Sequence, residues 1–212
     1  SECDVPADVV VDFSSAKAVD TLMDVCAEKK LPLVLCTTGL SEEQIAHVSE
    51  TAKQTAVLRS ANMSLGINTL MKLLKDAAKV LAGAGFDVEI VEKHHNQKLD
   101  APSGTAITLA EGILENLDRK DKWIEGTFQA PDGTVSGSTE CAANELPISS
   151  IREGEVPGIH SIRYDSEADS ITITHDAKNR RGFALGAVLA AEYTAKHEGA
   201  LGMSDLFPFL KD

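Results

Sequence analysis

The first sixty residues alternate short apolar runs with amphipathic segments, and this alternation constrains the fold more than any other feature of the chain. The apolar runs predict three strands, at residues 8–13, 31–36 and 56–59. A first helix is predicted from Ser14 or Ser15 to about Lys29, and a second from Ser41, which forms a capping-box pattern with Gln44. Strands that alternate with helices form a parallel sheet covered by helices, so the sequence predicts an α/β fold.

A long helix follows this region. Residues 62–68 are predicted to form a hinge and helix entry, and the helix itself is predicted over 69–81. Its apolar residues fall on one stripe, which predicts a core-facing side made of Leu70, Leu73, Leu74, Ala77 and Leu81.

The second half of the chain is richer in strand signals. Strands are predicted at residues 86–92, 145–153, 158–165 and 170–176. The last two of these flank the sequence SEAD and predict a hairpin. The polar stretch 118–145 is interpreted as a long irregular loop or a short hairpin. A final amphipathic helix, predicted over 183–196, is expected to return to the first domain.

Composition narrows the class of protein. The chain has 212 residues, 43% of them hydrophobic and 25% charged, as in ordinary soluble globular proteins. A formal net charge of -13 argues against general nucleic-acid binding, because phosphate backbones attract basic surfaces. No apolar run has the length of a membrane span. Four cysteines without a CxxC motif indicate reduced thiols and a cytoplasmic protein, and these are Cys3, Cys26, Cys36 and Cys141.

The segment 92–106, EKHHNQKLDAPSGTA, carries most of the functional information. A predicted strand precedes it and a predicted helix follows it. Ser103 is the expected N-cap of that helix, so the amides of Gly104 and Thr105 would point outward and could bind a carboxylate or a phosphate. Two imidazoles and an ammonium group stand close by in the sequence. This combination predicts a site for a small acidic molecule that undergoes proton transfer.

Plainer interpretations of the same residues exist. A histidine at a strand end is often a surface or core residue, and PSGT alone is compatible with an ordinary helix start. The adjacent His94 and His95 could ligate a metal, but neighbours on a strand point to opposite faces. No third ligand lies at a recognised zinc spacing, so no metal site is predicted. The basic cluster formed by Lys93, His94, His95 and Lys98 in an acidic protein favours a functional site.

The segment resembles the signature of the dihydrodipicolinate reductase family, E-x-H-H-x-x-K-x-D-A-P-S-G-T-A, and matches every fixed position. The resemblance extends over nearly the whole chain, through the segments VVVDFSS (9–15), CTTGL (36–40), SANMSLGIN (60–68) and ITITHDAKNR (171–180). It implies NADPH- or NADH-dependent reduction of 4-hydroxy-tetrahydrodipicolinate to tetrahydrodipicolinate, in lysine and diaminopimelate biosynthesis. It also implies a homotetramer, built through an open sheet.

The resemblance implies a partial Rossmann-type parallel sheet with helices, in a dinucleotide-binding domain of residues 1–62 with about 180–212 returning to it. Residues 63–179 would form an α+β substrate-binding and oligomerisation domain with an open mixed sheet. The family's proton donor and acceptor falls on His94, and its proton-donating partner on Lys98. Its contacts to the small dicarboxylate substrate fall on His95, Ser103, Gly104 and Thr105.

The implied cofactor contacts lie in three segments, the last of which leads into the hinge between the domains. They are Phe13, Cys36, Thr37, Thr38, Ser60, Ala61, Asn62 and Met63. Two of them depart from the family pattern: Cys36 replaces the usual glycine, and Met63 replaces the commoner phenylalanine. Arg180 and Arg181 form a second basic cluster, which either contacts an anionic ligand or is a solvated charge beside a helix.

A dinucleotide-binding fold normally opens with a glycine-rich turn after its first strand. This chain has no such turn, and its first glycine is Gly39. We therefore expect a family member without the first strand, the glycine loop and the segment that distinguishes NADH from NADPH. This expectation leaves an alternative function open, namely a substrate-binding and oligomerising fragment without catalytic turnover.

Overall fold

The computed structural model describes residues 5–211 and divides into two compact units. One unit combines the chain up to Asn68 with the chain from Arg181 onward, and the other spans Thr69–Arg180. In chain order the strands are β1 (Val10–Asp12), β2 (Leu33–Leu35), β3 (Val57–Arg59), β4 (Asp87–His94), β5 (Lys122–Gln129), β6 (Val135–Ser136), β7 (Glu145–Arg152), β8 (Ile159–Asp165), β9 (Ser170–Asp176) and β10 (Ala200–Leu201). The α-helices are α1 (Ala16–Lys29), α2 (Glu42–Thr51), α3 (Leu65–Leu81), α4 (Gly104–Leu114), α5 (Arg181–Thr194) and α6 (Met203–Leu206).

The first unit is built on a parallel sheet with the strand order β1-β2-β3-β10. Successive side chains of a strand point to opposite faces, and both faces are covered here. Leu33 and Leu35 of β2 pack with buried residues of α1 and α2. Val34 packs on the other side in a cluster that includes Ala187 and Ala190 of α5. The α/β prediction is confirmed.

The two predicted helix starts of this unit differ in how they are capped. Ser41 and Gln44 form the predicted capping box, with the Ser41 side chain accepting from the Gln44 amide and the Gln44 side chain accepting from the Ser41 amide. Ser15 is the N-cap of α1 but makes no side-chain capping bond. The short strand β10 and the helix α6 were not predicted, because elements of two and four residues are too short to show a periodicity.

The second unit contains a mixed sheet with the strand order β6-β5-β7-β4-β8-β9. The central strand β4 pairs in parallel with β7 and antiparallel with β8. The predicted hairpin forms, since β8 and β9 pair antiparallel around the SEAD turn. Helix α4 packs against β4, β5 and β7. The prediction of a mixed sheet in this part of the chain is therefore confirmed.

Two expectations about this half need correction. Of the two alternatives for the stretch 118–145, the short hairpin is present, because β5 and β6 pair antiparallel. The stretch is not a long loop, since β5 occupies eight of its residues and also pairs in parallel with β7. The strand was missed because its alternation is broken by a register shift between Glu125 and Phe128. Leu73 is 49% exposed and does not belong to the core stripe of α3, whereas Ala78, which was not assigned to it, is fully buried.

The described residues contain three free cysteines, Cys26, Cys36 and Cys141. Cys3, which was predicted to be a reduced thiol, lies outside the described residues. Among the helices of residues 5–211, none combines the length and apolarity that crossing a bilayer requires.

Candidate active site

Strand β4 brings two functional side chains to the same buried face. Its burial alternates strictly, and Val88, Ile90, Glu92 and His94 are the buried positions. A polar residue in such a row must find partners, because burial without hydrogen bonds is costly. Glu92 is fully buried, and His94 is 8% exposed. The partners of these two side chains define the site.

Glu92 forms a two-pronged ion pair with Arg152, the last residue of β7. Arg152 Nη2 lies 3.0 Å from Glu92 Oε1, and Arg152 Nη1 lies 3.2 Å from Glu92 Oε2. Burial alone would raise the pKa of Glu92. Hydrogen bonds from His94, Arg152 and Ser150 outweigh burial and lower the pKa to about 2. Glu92 is therefore a carboxylate at any physiological pH.

The imidazole of His94 is held at one ring nitrogen. Its Nδ1 makes a short hydrogen bond to Glu92 Oε2, which leaves Nε2 as the nitrogen able to exchange a proton with a ligand. The backbone of Gly158 passes close to this second nitrogen, since a Cβ at that position would lie 3.0 Å from His94 Nε2. Glycine at position 158 thus keeps the surroundings of Nε2 open.

The start of α4 is tied to the same carboxylate. Ser103 is the N-cap, as predicted, and its Oγ accepts from the Ala106 amide at 3.2 Å. The Ser103 amide donates to Glu92 Oε1 at 3.3 Å. The first-turn residues Gly104 and Thr105 follow directly, and Gly104 is exposed. The helix start is therefore fixed relative to His94 through a single buried side chain.

A second histidine, His160 of β8, joins the site from the interior. Its Nε2 lies 3.3 Å from Ser103 Oγ, and its ring meets that of His94 edge-to-face at a centroid distance of 5.2 Å. Burial, and next the charge of a protonated His94, lowers the pKa of His160 to about 3. His160 is therefore neutral at physiological pH and cannot compete with His94 for the proton.

Lys98 is placed by the loop between β4 and α4. Its ammonium group contacts both carboxylate oxygens of Asp100, at 2.8 and 2.9 Å. Arg152 holds the backbone of the same loop, because its Nε donates to the Lys98 carbonyl at 3.3 Å and its Nη2 donates to the Asp100 carbonyl at 2.6 Å. The loop that carries the ammonium group is thus fixed from within the sheet.

His95 lies in different surroundings from its neighbour. It follows the end of β4 and lines a cleft of about 540 Å³ together with Asn96, Gln97, Gly154, Glu155, Pro157 and Arg180. Arg180, one of the two arginines for which a ligand contact was left open, therefore lies beside His95 in one cleft. His94 is not among the residues that line it.

The predicted cofactor segments lie side by side at the carboxyl ends of β1, β2 and β3. The Cys36 amide donates to the Asp12 carbonyl at 2.9 Å, and the Ser60 amide donates to the Leu35 carbonyl at 3.3 Å. This edge of a parallel sheet is where nucleotides bind in open α/β folds. Phe13 is 61% exposed here, and Thr38 and Ala61 are also exposed.

Other predicted cofactor residues are engaged in the protein itself. Thr37 is 7% exposed and donates its hydroxyl to Asp12 Oδ2, while Asn62 accepts from the Ser64 amide at 2.9 Å. Met63 is 2% exposed and packs in the core cluster. Burial and then the Asp12 carboxylate raise the pKa of Cys36 to about 12, so its thiol is not an activated nucleophile.

Sequence reasoning assigned no role to Glu92, Arg152 or His160. Glu92 belongs to the signature and could have been noticed as a carboxylate on the buried face of a strand. His160 gives the same signal, because the alternation of β8 places it in line with the buried Ile162 and Tyr164. Arg152 has no local sequence signal of a functional role.

In residues 5–211 no group of three or more His, Cys, Asp or Glu side chains is arranged to hold a metal ion.

Two family models match the chain. The model for the N-terminal part of dihydrodipicolinate reductase matches residues 1–63, and the model for its C-terminal part matches residues 66–207. Among solved structures, dipicolinate-bound dihydrodipicolinate reductase from Paenisporosarcina sp. TG-14 is similar, with a TM-score of 0.69 and 26% sequence identity. That similarity covers 92% of this chain and 71% of the other.

Curated relatives agree with the family models. The chain is 43% identical to 4-hydroxy-tetrahydrodipicolinate reductase of Caldanaerobacter subterraneus subsp. tengcongensis over 201 residues, which are 94% of this chain and 76% of the relative. It is 44% identical to the enzyme of the same name from Clostridium tetani over 189 residues, or 89% of this chain and 71% of the relative. The chain therefore belongs to the dihydrodipicolinate reductase family.

Proposed function

We propose that this chain reduces 4-hydroxy-tetrahydrodipicolinate to tetrahydrodipicolinate with NADPH or NADH, in the biosynthesis of diaminopimelate and lysine. The observation that carries the proposal is the linkage of His94 and the N-cap Ser103 through one buried carboxylate, within a segment that matches the family signature. This linkage sets a proton-exchanging nitrogen and a helix start in a fixed relation. A cyclic dicarboxylate undergoing reduction needs both.

The proposed roles follow from the chemistry of the side chains. His94 exchanges a proton at Nε2, because its Nδ1 is occupied by Glu92. Lys98 donates a proton or offsets substrate charge after leaving Asp100. Gly104 and Thr105 at the start of α4, with Ser103 and His95, bind the substrate carboxylates. The reaction also requires loss of the ring hydroxyl as water, which a positioned proton donor favours.

The nicotinamide cofactor supplies the hydride. The residues at the carboxyl edge of the parallel sheet fit such a group, because the exposed Phe13, Thr38 and Ala61 lie on adjacent segments of that edge. We propose that these residues, with Cys36, Thr37, Ser60, Asn62 and Met63, hold the cofactor. Residues whose side chains are engaged within the protein, such as Met63 and Thr37, would contact the cofactor through their backbone. NADH and NADPH are both retained as candidates.

A homotetramer is the proposed assembly. The mixed sheet of the second unit ends in β6 and β9, and both edges carry exposed apolar side chains, Val135 at 60% and Ile171 at 41%. Open edges of this kind are commonly covered by another strand or another subunit.

The proposed location is the cytoplasm, where thiols such as those of the described cysteines stay reduced.

The catalytic assignment is tested by His94→Gln. We expect its kcat to fall by about 10²–10⁴-fold, the usual contribution of general acid–base catalysis, with a smaller effect on substrate binding. His197→Gln is the matched control, since His197 is exposed and belongs to the other unit. Steady-state oxidation of NADPH or NADH by both variants provides the comparison. A kcat of His94→Gln within about twofold of the unchanged protein would refute the role of His94.

A further inference from the structure

We propose that Glu92 and Arg152 are positioning residues that hold His94 in one tautomer and fix the Lys98 loop and the helix start around it. The inference deepens the proposed function and rests on it. Neither residue has a side chain accessible to a ligand, because Glu92 is fully buried and Arg152 is 2% exposed. Any effect on the reaction must therefore pass through the groups that they contact.

Glu92 decides which ring nitrogen of His94 carries the proton. A neutral imidazole carries its proton on one of two nitrogens, and a hydrogen-bond partner decides which one. Glu92 stays ionised and can only accept, so Nδ1 of His94 must be the donor. Nε2 is then the nitrogen without a proton in the neutral ring. Glu92 thereby directs every proton that His94 takes up or releases to the Nε2 side.

Arg152 connects Glu92 with the loop that carries Lys98. Each nitrogen of the Arg152 guanidinium has a partner: Nη1 contacts Glu92 and the Ile151 carbonyl, Nη2 contacts Glu92 and the Asp100 carbonyl, and Nε contacts the Lys98 carbonyl. One rigid planar group therefore connects the carboxylate beside His94 with the backbone on which Lys98 is mounted. Lysine would keep the charge but could not make this set of contacts.

Glu92 accepts from the Ser103 amide as well as from Arg152 and His94, so both of its oxygens are fully used. The carboxylate thus touches the proton-exchanging ring, the helix start and the clamp on the loop. A buried ion pair is weak evidence for stability, because desolvation offsets the attraction between the charges. Its position at the centre of these three elements favours a role in site geometry.

The tautomer of His94 is the direct test for Glu92. In ligand-free protein labelled with ¹⁵N-histidine, ¹⁵N NMR reports which ring nitrogen carries the proton, at a pH at which the ring is neutral. We expect the Nδ1–H tautomer in the unchanged protein and a shift toward Nε2–H in Glu92→Gln, whose amide can donate to Nδ1. In serine-protease triads the same carboxylate-to-amide change lowers kcat about 10⁴-fold through the wrong tautomer.

Two further variants keep this test interpretable. Glu89→Gln is the matched control, because Glu89 lies on the same strand in the alternate, half-exposed row and should leave the tautomer unchanged. Glu92→Asp retains the charge opposite Arg152 but draws the carboxylate back from Nδ1, so it replaces Glu92→Gln if the latter does not fold. A folded Glu92→Gln or Glu92→Asp protein with the original tautomer ratio would overturn the role of Glu92.

Arg152→Lys provides the independent arm of the experiment. We expect His94 to keep its tautomer while the dissociation constant for dipicolinate rises by about tenfold or more, because the loop and helix start are no longer held in register. Arg163→Lys is the control, since Arg163 lies on the exposed side of β8. Unchanged dipicolinate affinity in a folded Arg152→Lys protein would overturn the role of Arg152.

Absence of dipicolinate binding in the unchanged protein would count against the proposed function, whereas the ligand-free tautomer would still test Glu92.

Discussion

At the scale of single residues, the site separates two histidines by their surroundings. His94 has a carboxylate on one nitrogen, whereas His160 is buried against Ser103 and has no partner at Nδ1 within the described residues. The two rings touch, and burial followed by the charge of His94 lowers the pKa of His160 to about 3. His160 is therefore neutral at physiological pH.

This difference predicts how stability depends on pH. A histidine whose pKa is lowered in the folded state binds fewer protons than in the unfolded chain, so stability falls as the pH drops from about 6.5 toward 3. One such group contributes a slope of up to about 1.4 kcal/mol per pH unit. We expect His160→Gln to flatten the pH dependence of the free energy of unfolding between about pH 6.5 and 5. The stabilising contribution of Glu92, whose pKa is lowered to about 2, is lost only at lower pH.

Urea unfolding at several pH values measures this slope. Burial also lowers the pKa of His175, so His175→Gln is a useful comparison that should flatten the slope as well. The same pH dependence in His160→Gln and in the unchanged protein would show that His160 titrates normally in the folded state.

A second prediction at this scale concerns the helix start. Gly104→Pro removes one amide from the first position of α4, where proline is favoured, and the preceding Ser103 already has a compatible extended conformation. Loss of one hydrogen bond to a carboxylate should weaken dipicolinate binding by about ten- to a hundredfold, or about 1.5–3 kcal/mol. Gly104→Ala keeps the amide and has open space for its Cβ, so it should bind normally. Calorimetric titration distinguishes the two variants. Equal affinities for dipicolinate would show that the Gly104 amide does not bind the ligand.

At the scale of secondary-structure elements, the packing of α5 within the first unit depends on one glycine. A Cβ at Gly186 would lie 1.8 Å from the Met63 carbonyl oxygen, so the helix can approach this segment only without a side chain. Gly182 lies on the same helix, and a Cβ there meets nothing within 4 Å. The two positions therefore form a matched pair.

We expect Gly186→Ala to destabilise the protein by about 1–3 kcal/mol, as overpacking of a core contact usually does. Gly182→Ala should be neutral or stabilising by up to about 1 kcal/mol, because alanine favours the helix. Thermal or denaturant unfolding measures both. Equal stability of the two variants would show that α5 does not approach Met63 as described.

The sequence predicted those elements whose signals are local. The capping box of Ser41, the N-cap Ser103 and the β8–β9 hairpin each depend on residues a few positions apart, and all three are present. Strand β5 was missed because a bulge interrupts its alternation and Gly126, where a Cβ would lie 2.7 Å from Ser149 Oγ, stands in the middle of it.

The same distinction applies to the candidate site. His94, Lys98 and Ser103 were found because they share one segment, which a motif can describe. Arg152 lies 60 positions from its partner Glu92, and His160 lies 57 positions from Ser103. No local spacing connects such pairs. Only the pairing of β4 with β7 and β8 brings them together.

At the scale of the whole molecule, each unit contains one half of the proposed chemistry. The unit from Thr69 to Arg180 holds the residues proposed to exchange protons and to bind the substrate, and the other unit holds the segments proposed for the cofactor. The net charge of -13 means that anionic ligands depend on local basic groups. His95 and Arg180, which share a cleft, are such groups.

We propose that this chain is a working reductase. The most direct measurement is the oxidation of NADPH and of NADH by this chain, with and without 4-hydroxy-tetrahydrodipicolinate, beside a titration with dipicolinate. We expect substrate-dependent oxidation of at least one cofactor and binding of dipicolinate. Binding of dipicolinate without any oxidation would contradict the proposed reductase function and would instead identify a substrate-binding protein without turnover.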